Sequence, residues 1–174
     1  MLNKWEIIRF LYKRTLSYLL WIAKLSIYDE KDFISSRAKK FNVTIFGYLL
    51  SKFNKDKKVY FLGCGLLKGK EKNKLNFIRD LKKDKRIKKF ELKDDFFIIL
   101  SYRPELSKIN ETLADASFLY PKPITILPSG EEIWEFGTWD KNLLIKKVKL
   151  ARIRYNAKIL KIEKRKLNEL AILN

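Results

Sequence analysis

The chain has 174 residues, 39 of them Lys or Arg, 20 Asp or Glu and none His, for a formal net charge of +19. A hydrophobic fraction of 47%, with 14% aromatic, supplies a core for one domain or two small halves and excludes an intrinsically disordered chain. The missing His removes Ser-His-Asp and Cys-His nucleophile systems and His-ligated zinc. The lone Cys64 excludes an internal disulfide framework and reads as a reducing, cytoplasmic setting.

The longest apolar run, Leu16 to Ala23, falls far short of the roughly 20 residues a spanning helix needs. No small-x-small cleavage site closes it, so neither a membrane partner nor a signal peptide is expected. Lys4 to Lys13 is a strand candidate. Leu16 to Phe41 reads as helical, broken near Ser26 to Asp29. Asp29 is placed to cap Glu30 to Phe41, with Phe33, Ile34 and Ala38 on one side. Val43 to Leu50 and Val59 to Leu67 are strands joined by a turn over Asn54 to Lys57.

Glu71 to Asp84 is the clearest helix, with Leu75, Ile78 and Leu81 as its stripe and Phe77 alongside. Arg86 to Leu92 follows as a strand. Phe96 to Leu100 is continuously apolar, as a central strand buried on both faces would be. Pro104 to Leu113 is a short helix. Ile124 to Leu127 and Glu132 to Phe136 flank a Pro128-Ser129-Gly130 turn. Asp140 caps a helix through Tyr155, with Leu144, Val148, Ala151 and Tyr155 in line. Ala157 to Glu163 closes as a strand.

The order strand, helix, strand, strand, helix, strand occurs twice. Val59–Lys93 matches Glu132–Lys164 best, with Gly63 and Gly137 each ending the strand before a helix. This predicts an α+β fold of tandem ferredoxin-like (βαββαβ, ACT-like) units. They would form one antiparallel sheet of up to eight strands with helices on one face. The units would be 1–93, with an extra N-terminal helical segment, and 94–170, followed by a tail, 171–174.

Gly63, Gly65 and Gly69 next to Lys70 outline a loop able to approach a phosphate, but the spacing is neither a Walker A loop nor a dinucleotide fingerprint. Strand-end crowding also accounts for the glycines. Trp134 and Trp139 could stack a ligand; packing between helix and sheet is the plainer role for both. Glu131, Glu132 and Glu135 read as solvated, and Cys64 as a small buried side chain. The densest basic run is Lys82, Lys83, Lys85, Arg86, Lys88 and Lys89. It could grip phosphates, or simply complement a helix C-terminus. Val59 to Gly63 lacks the Gly-aromatic-Gly-Phe pattern of RNA-recognition domains, which argues against that mode.

FNVTIFGYLL, KVYFLGCGLLKGKEKNKLNFIRDLKKDKRIKKFE and YPKPITILPSGEEIWEFGTWDKNLLIKK together resemble the N-terminal region of archaeal bacterio-opsin-activator-like transcription regulators. The phrases that carry the likeness are KDKRIKKFE and the G-x-E-x-W-E-x-x-T-W-D stretch from Gly130 to Asp140. In that family the region implies a duplicated, ferredoxin-like, small-molecule-sensing module, followed by a DNA-binding helix-turn-helix that this sequence does not include. The resemblance implies a non-enzymatic regulatory domain without catalytic residues, metal or cofactor, acting through a small effector or a regulatory protein. The charge supports a different reading, a basic protein contacting structured RNA or the DNA backbone, although thirty of the 39 cations are Lys. Exposed strand edges allow a homodimer.

Overall fold

A computed structural model describes residues 19–56, 58–103, 115 and 117–166. The expected strand Lys4 to Lys13, helix Pro104 to Leu113 and tail 171–174 lie outside the described residues. The elements run β1 (Leu19–Tyr28), α1 (Ser35–Phe41), β2 (Thr44–Lys55), β3 (Lys58–Lys68), α2 (Glu71–Lys82), β4 (Ile87–Lys93), β5 (Phe96–Arg103), β6 (Ile124–Ile126), β7 (Glu131–Thr138), α3 (Lys141–Tyr155) and β8 (Lys158–Lys166).

The first element corrects the sequence reading. Leu19–Tyr28 is a strand, not a helix. Ala23, Leu25 and Ile27 are buried on one of its faces, and Leu20 and Ile22 on the other. An apolar run buried on both faces has no period-2 signal, so it looks like a buried helix. The capping role expected of Asp29 falls to Asp32, whose Oδ1 accepts the N–H groups of Ile34 and Ser35, both at 2.8 Å. Asp29 closes only a local turn, accepting from the Lys31 N–H. Asn42, left-handed at φ 53°, ends α1 and turns the chain into β2.

All strand pairings are antiparallel, in one eight-stranded sheet of order β4-β5-β3-β2-β6-β7-β1-β8. This order is a palindrome about the β2–β6 seam. On each side, a hairpin strand on the seam is followed by its partner, then by a strand from elsewhere in the chain, then by the outer edge. The strand from elsewhere is β5 between β3 and β4, and β1 between β7 and β8. Among the described residues, the strands before and after residue 94 thus share one sheet, with β1 set among the later strands and β5 among the earlier ones.

The register places Ile27, Glu132, Ile126 and Ile45 on one face. That face carries both cores. One packs α3 through Leu144, Val148 and Ala151 onto Ala23, Leu25, Trp134 and Phe136. The other packs α1 and α2 through Ala38, Phe77 and Leu81 onto Ile45, Leu67, Phe97 and Ile99. Asp140 caps α3 as expected, accepting from the N–H groups of Asn142 and Leu143. Gly130, at φ 85°, closes the turn between β6 and β7.

Further expectations change. The α2 stripe is Phe77 and Leu81, one helical turn apart, while Leu75 is 45% exposed. β5 is buried on one face only: Phe97 and Ile99 face the helices, whereas Phe96 and Ile98 are exposed on the open face. Gly63 lies within β3 rather than at its end, opposite Leu49. Trp139 is 66% exposed and not core packing, because it sits in the connection between β7 and α3. Glu132 and Glu135 are buried and Glu131 half-buried, since β7 is an inner strand of the sheet. Cys64 is half-buried on the open face.

Candidate functional site

Among the described residues, the seam between the two helix groups is a groove. β6 is short: it pairs with β2 only over Ile45 to Gly47, so β2 runs on past it. The groove has an inner chamber of about 140 Å³ and an outer one of about 600 Å³, sharing Gly47, Tyr48, Leu49, Ile124 and Trp134. The outer volume lies within the range of small-molecule sites.

The floor is low because β2 and β3 carry glycines there. Gly47 and Gly63 line the inner chamber with no side chain to fill it. Gly65, directly opposite Gly47, serves the close approach of the two strands: a Cβ on it would stand 2.2 Å from the Phe46 carbonyl oxygen. Gly69, at φ 153°, leads into α2 away from the groove.

The inner wall is built on a buried carboxylate. Glu132 is 4% exposed. Its Oε1 accepts from Ser35 Oγ at 2.5 Å and its Oε2 from Trp134 Nε1 at 2.8 Å. This ties α1 of one half to β7 of the other and fixes the indole plane at the groove wall. Asp32, also lining the chamber, is engaged at the start of α1. The remaining lining of the inner chamber is mainly apolar, including Ile34, Phe61, Phe97, Ile99 and Ile126.

The outer wall is Phe118, Tyr120 and Trp134, with Lys52, Asp115 and Lys122 at its polar margin. Tyr120 meets Trp134 edge-on at 6.5 Å, and Phe118 meets Phe136 at 5.5 Å. Burial pushes the Tyr120 phenol up to about 12, keeping it neutral. Asp115 accepts from Ser117 Oγ at 2.6 Å and from Lys147 Nζ at 2.9 Å, and these bonds hold its carboxyl well below the usual range. Lys147 is itself only 6% exposed, with its ammonium over the Phe118 ring.

Of the predicted ligand residues, the structure thus brings Gly63 and Trp134 together at one groove and leaves Gly65, Gly69 and Trp139 outside it. The basic run is dispersed. Lys82 and Lys83 stand at the end of α2, and Lys82 Nζ lies 5.9 Å from the Phe90 ring centroid. Arg86 is turned inward, bidentate on Asp84 and stacked 4.3 Å from the Phe33 centroid. Lys88 lies against Tyr102, and Lys85 and Lys89 are exposed. Sequence reasoning missed Glu132 and Ser35. Their link spans the chain between residues 35 and 132, and an acid next to Trp134 in a hairpin strand carries no local mark of burial.

Among the described residues, no group of three or more His, Cys, Asp or Glu is placed to hold a metal ion. No described helix is long and apolar enough to cross a membrane. Compared with family models, curated proteins and solved structures, the chain matches none.

Proposed function

We propose that the protein is a non-enzymatic, cytoplasmic regulatory module that senses a small, largely apolar ligand in the seam groove. The observation that carries this reading is the groove itself: a glycine-floored, aromatic-walled cavity between two halves that share one sheet. Its buried acid is already committed to holding the wall together, so recognition would rest on shape and apolar contact. We read the fold as two ferredoxin-like, ACT-like units with exchanged first strands. Each half of the sheet has the fourth-first-third-second strand order of a βαββαβ unit once β1 and β5 trade places. This agrees with the resemblance to the sensor region of archaeal bacterio-opsin-activator-like regulators.

A ligand across the seam would touch β2, β6 and β7 at once. It would favour whichever spacing of the two halves suits it, and so shift a conformational population read by a regulatory partner. The test is a thermal-shift screen of uncharged aromatic and aliphatic small molecules, followed by quenching of tryptophan emission. Hits should raise the melting temperature of the wild type. Gly47→Val, which fills the shared floor, should abolish the shift: a Cβ there meets only ordinary contacts, the nearest at 3.7 Å, so folding should survive. Hits that bind Gly47→Val equally well would refute the groove as the site.

A further inference from the structure

The sheet face opposite the helices is uncovered in the first half of the sheet among the described residues. It displays Tyr48, Phe53, Leu66, Phe96 and Ile98, each at least 41% exposed. At one end the register sets three rings in a row on adjacent strands. Phe53 on β2 lies opposite Tyr60 on β3, and Tyr60 opposite Tyr102 on β5. Phe53 and Tyr60 stack at 5.2 Å with an interplanar angle of 5°, and Tyr60 and Tyr102 lie 5.9 Å apart. Phe53 is exposed and Tyr60 and Tyr102 are half-buried, and at the Tyr102 end of the row Lys58 Nζ and Lys88 Nζ each lie 4.7 Å from the ring centroid.

We infer that this aromatic row is a stacking platform for single-stranded RNA. Rings on a sheet surface take up unstacked bases, each of which has a π-face, while cations beside the rings meet the phosphates between them. A duplex offers no free base faces to such a row. The phenol hydroxyls of Tyr60 and Tyr102, on the same face as the exposed Ser51, provide partners for ribose 2′-hydroxyls. A second copy is the poorer occupant. It would bring another chain of +19 against the same lysines, and the sheet's outer edges carry Lys88, Lys89 and Lys93 on β4 and Lys158, Lys161, Lys164 and Lys166 on β8. The rings and cations of the platform, Phe53, Tyr60, Tyr102, Lys58 and Lys88, line neither chamber of the groove, so it stands or falls independently of the sensor reading. The linear RNA-recognition motif is missing because the rings come from three strands rather than one.

The experiment is fluorescence anisotropy of the full chain with labelled 12-mers of oligo(U), oligo(dT) and an RNA duplex, at about 50 and 200 mM salt. Oligo(U) should bind most tightly, with affinity falling steeply with salt. Tyr60→Leu keeps the apolar bulk but removes the stack, and should weaken oligo(U) binding about tenfold or more with the melting temperature preserved. Lys58→Gln with Lys88→Gln should flatten the salt dependence. Equal binding of duplex and single strand, or a Tyr60→Leu variant that binds like wild type, would reduce the interaction to charge alone and overturn the platform. Equal affinity for oligo(dT) would overturn the assignment to RNA. A dimer in sedimentation that Ile98→Glu disrupts, with no oligo(U) binding, would give the face to a second copy.

Discussion

Asp84→Asn isolates the ion-pair knot that fastens α2 and α1 to the start of β4. Asp84 has a side chain only 8% exposed, with Arg37 Nη2 at 3.0 Å and Arg86 Nη2 at 2.7 Å. It also accepts the Arg86 backbone N–H at 3.0 Å. The Arg86 guanidinium is the chief reason its carboxyl falls from 3.8 to about 2. At 1.36 kcal/mol per pH unit, ionised Asp84 contributes about 2 kcal/mol of folding stability. The sign follows from the lowered value: the contribution is complete well above pH 3.8 and is lost as the pH falls through about 2. About half of it remains at pH 3 on the same linkage relation. The asparagine side chain can keep neutral hydrogen bonds but has no charge to lose. Urea denaturation of both proteins at pH 7 and pH 3 should show the stability gap narrowing by about 1 kcal/mol at the lower pH, because groups that share no partner with Asp84 titrate alike in both. A gap that does not change with pH would refute the assignment of this stability to the ionised pair.

Other expectations follow from the packing. Gly65→Ala drives a methyl into the Phe46 carbonyl and the Gly47 Cα, so strands β2 and β3 must part. A loss of about 2–3 kcal/mol in chemical denaturation is expected, while a melting temperature like that of wild type would contradict the close approach. Asp115→Ala should cost about 1–2 kcal/mol by leaving Lys147 buried without its carboxylate. Adding Lys147→Met should recover most of the loss, and a double variant no better than the single would place the cost elsewhere.

Much of the architecture was legible locally. The α3 stripe of Leu144, Val148 and Ala151, the Asp140 cap and the turn at Gly130 each follow from short-range rules, and the structure has all three. The antiparallel sheet of eight strands was within reach of the sequence too. What could not be read was which strand enters which half, because pairing between β1 and β7 is set by burial far along the chain. For the same reason β1, apolar on both faces, looked helical, and FFIIL in β5 looked buried on both faces when one of them is open. At the groove, Trp134 and Gly63 stood out as residue types, but only the fold distinguishes them from Trp139 and Gly65. Glu132 looked like one more solvated acid, because nothing near it in sequence announces Ser35 as its partner.

The position of β1 between β7 and β8 bears on how this protein comes off a ribosome. Ile22 in β1 is among the earliest residues of the sheet to be made, yet its neighbours are Gly137 and Glu163. Until β7 and β8 emerge, an apolar strand must wait with both edges unpaired, a template for adhesion to other nascent chains. The first half cannot finish early either, since β3 and β4 come together only through β5. Neither half has a complete sheet to fold into alone, so assembly should be late, slow and concerted, and a chain cut between β4 and β5 should leave two fragments that find their structure only in each other.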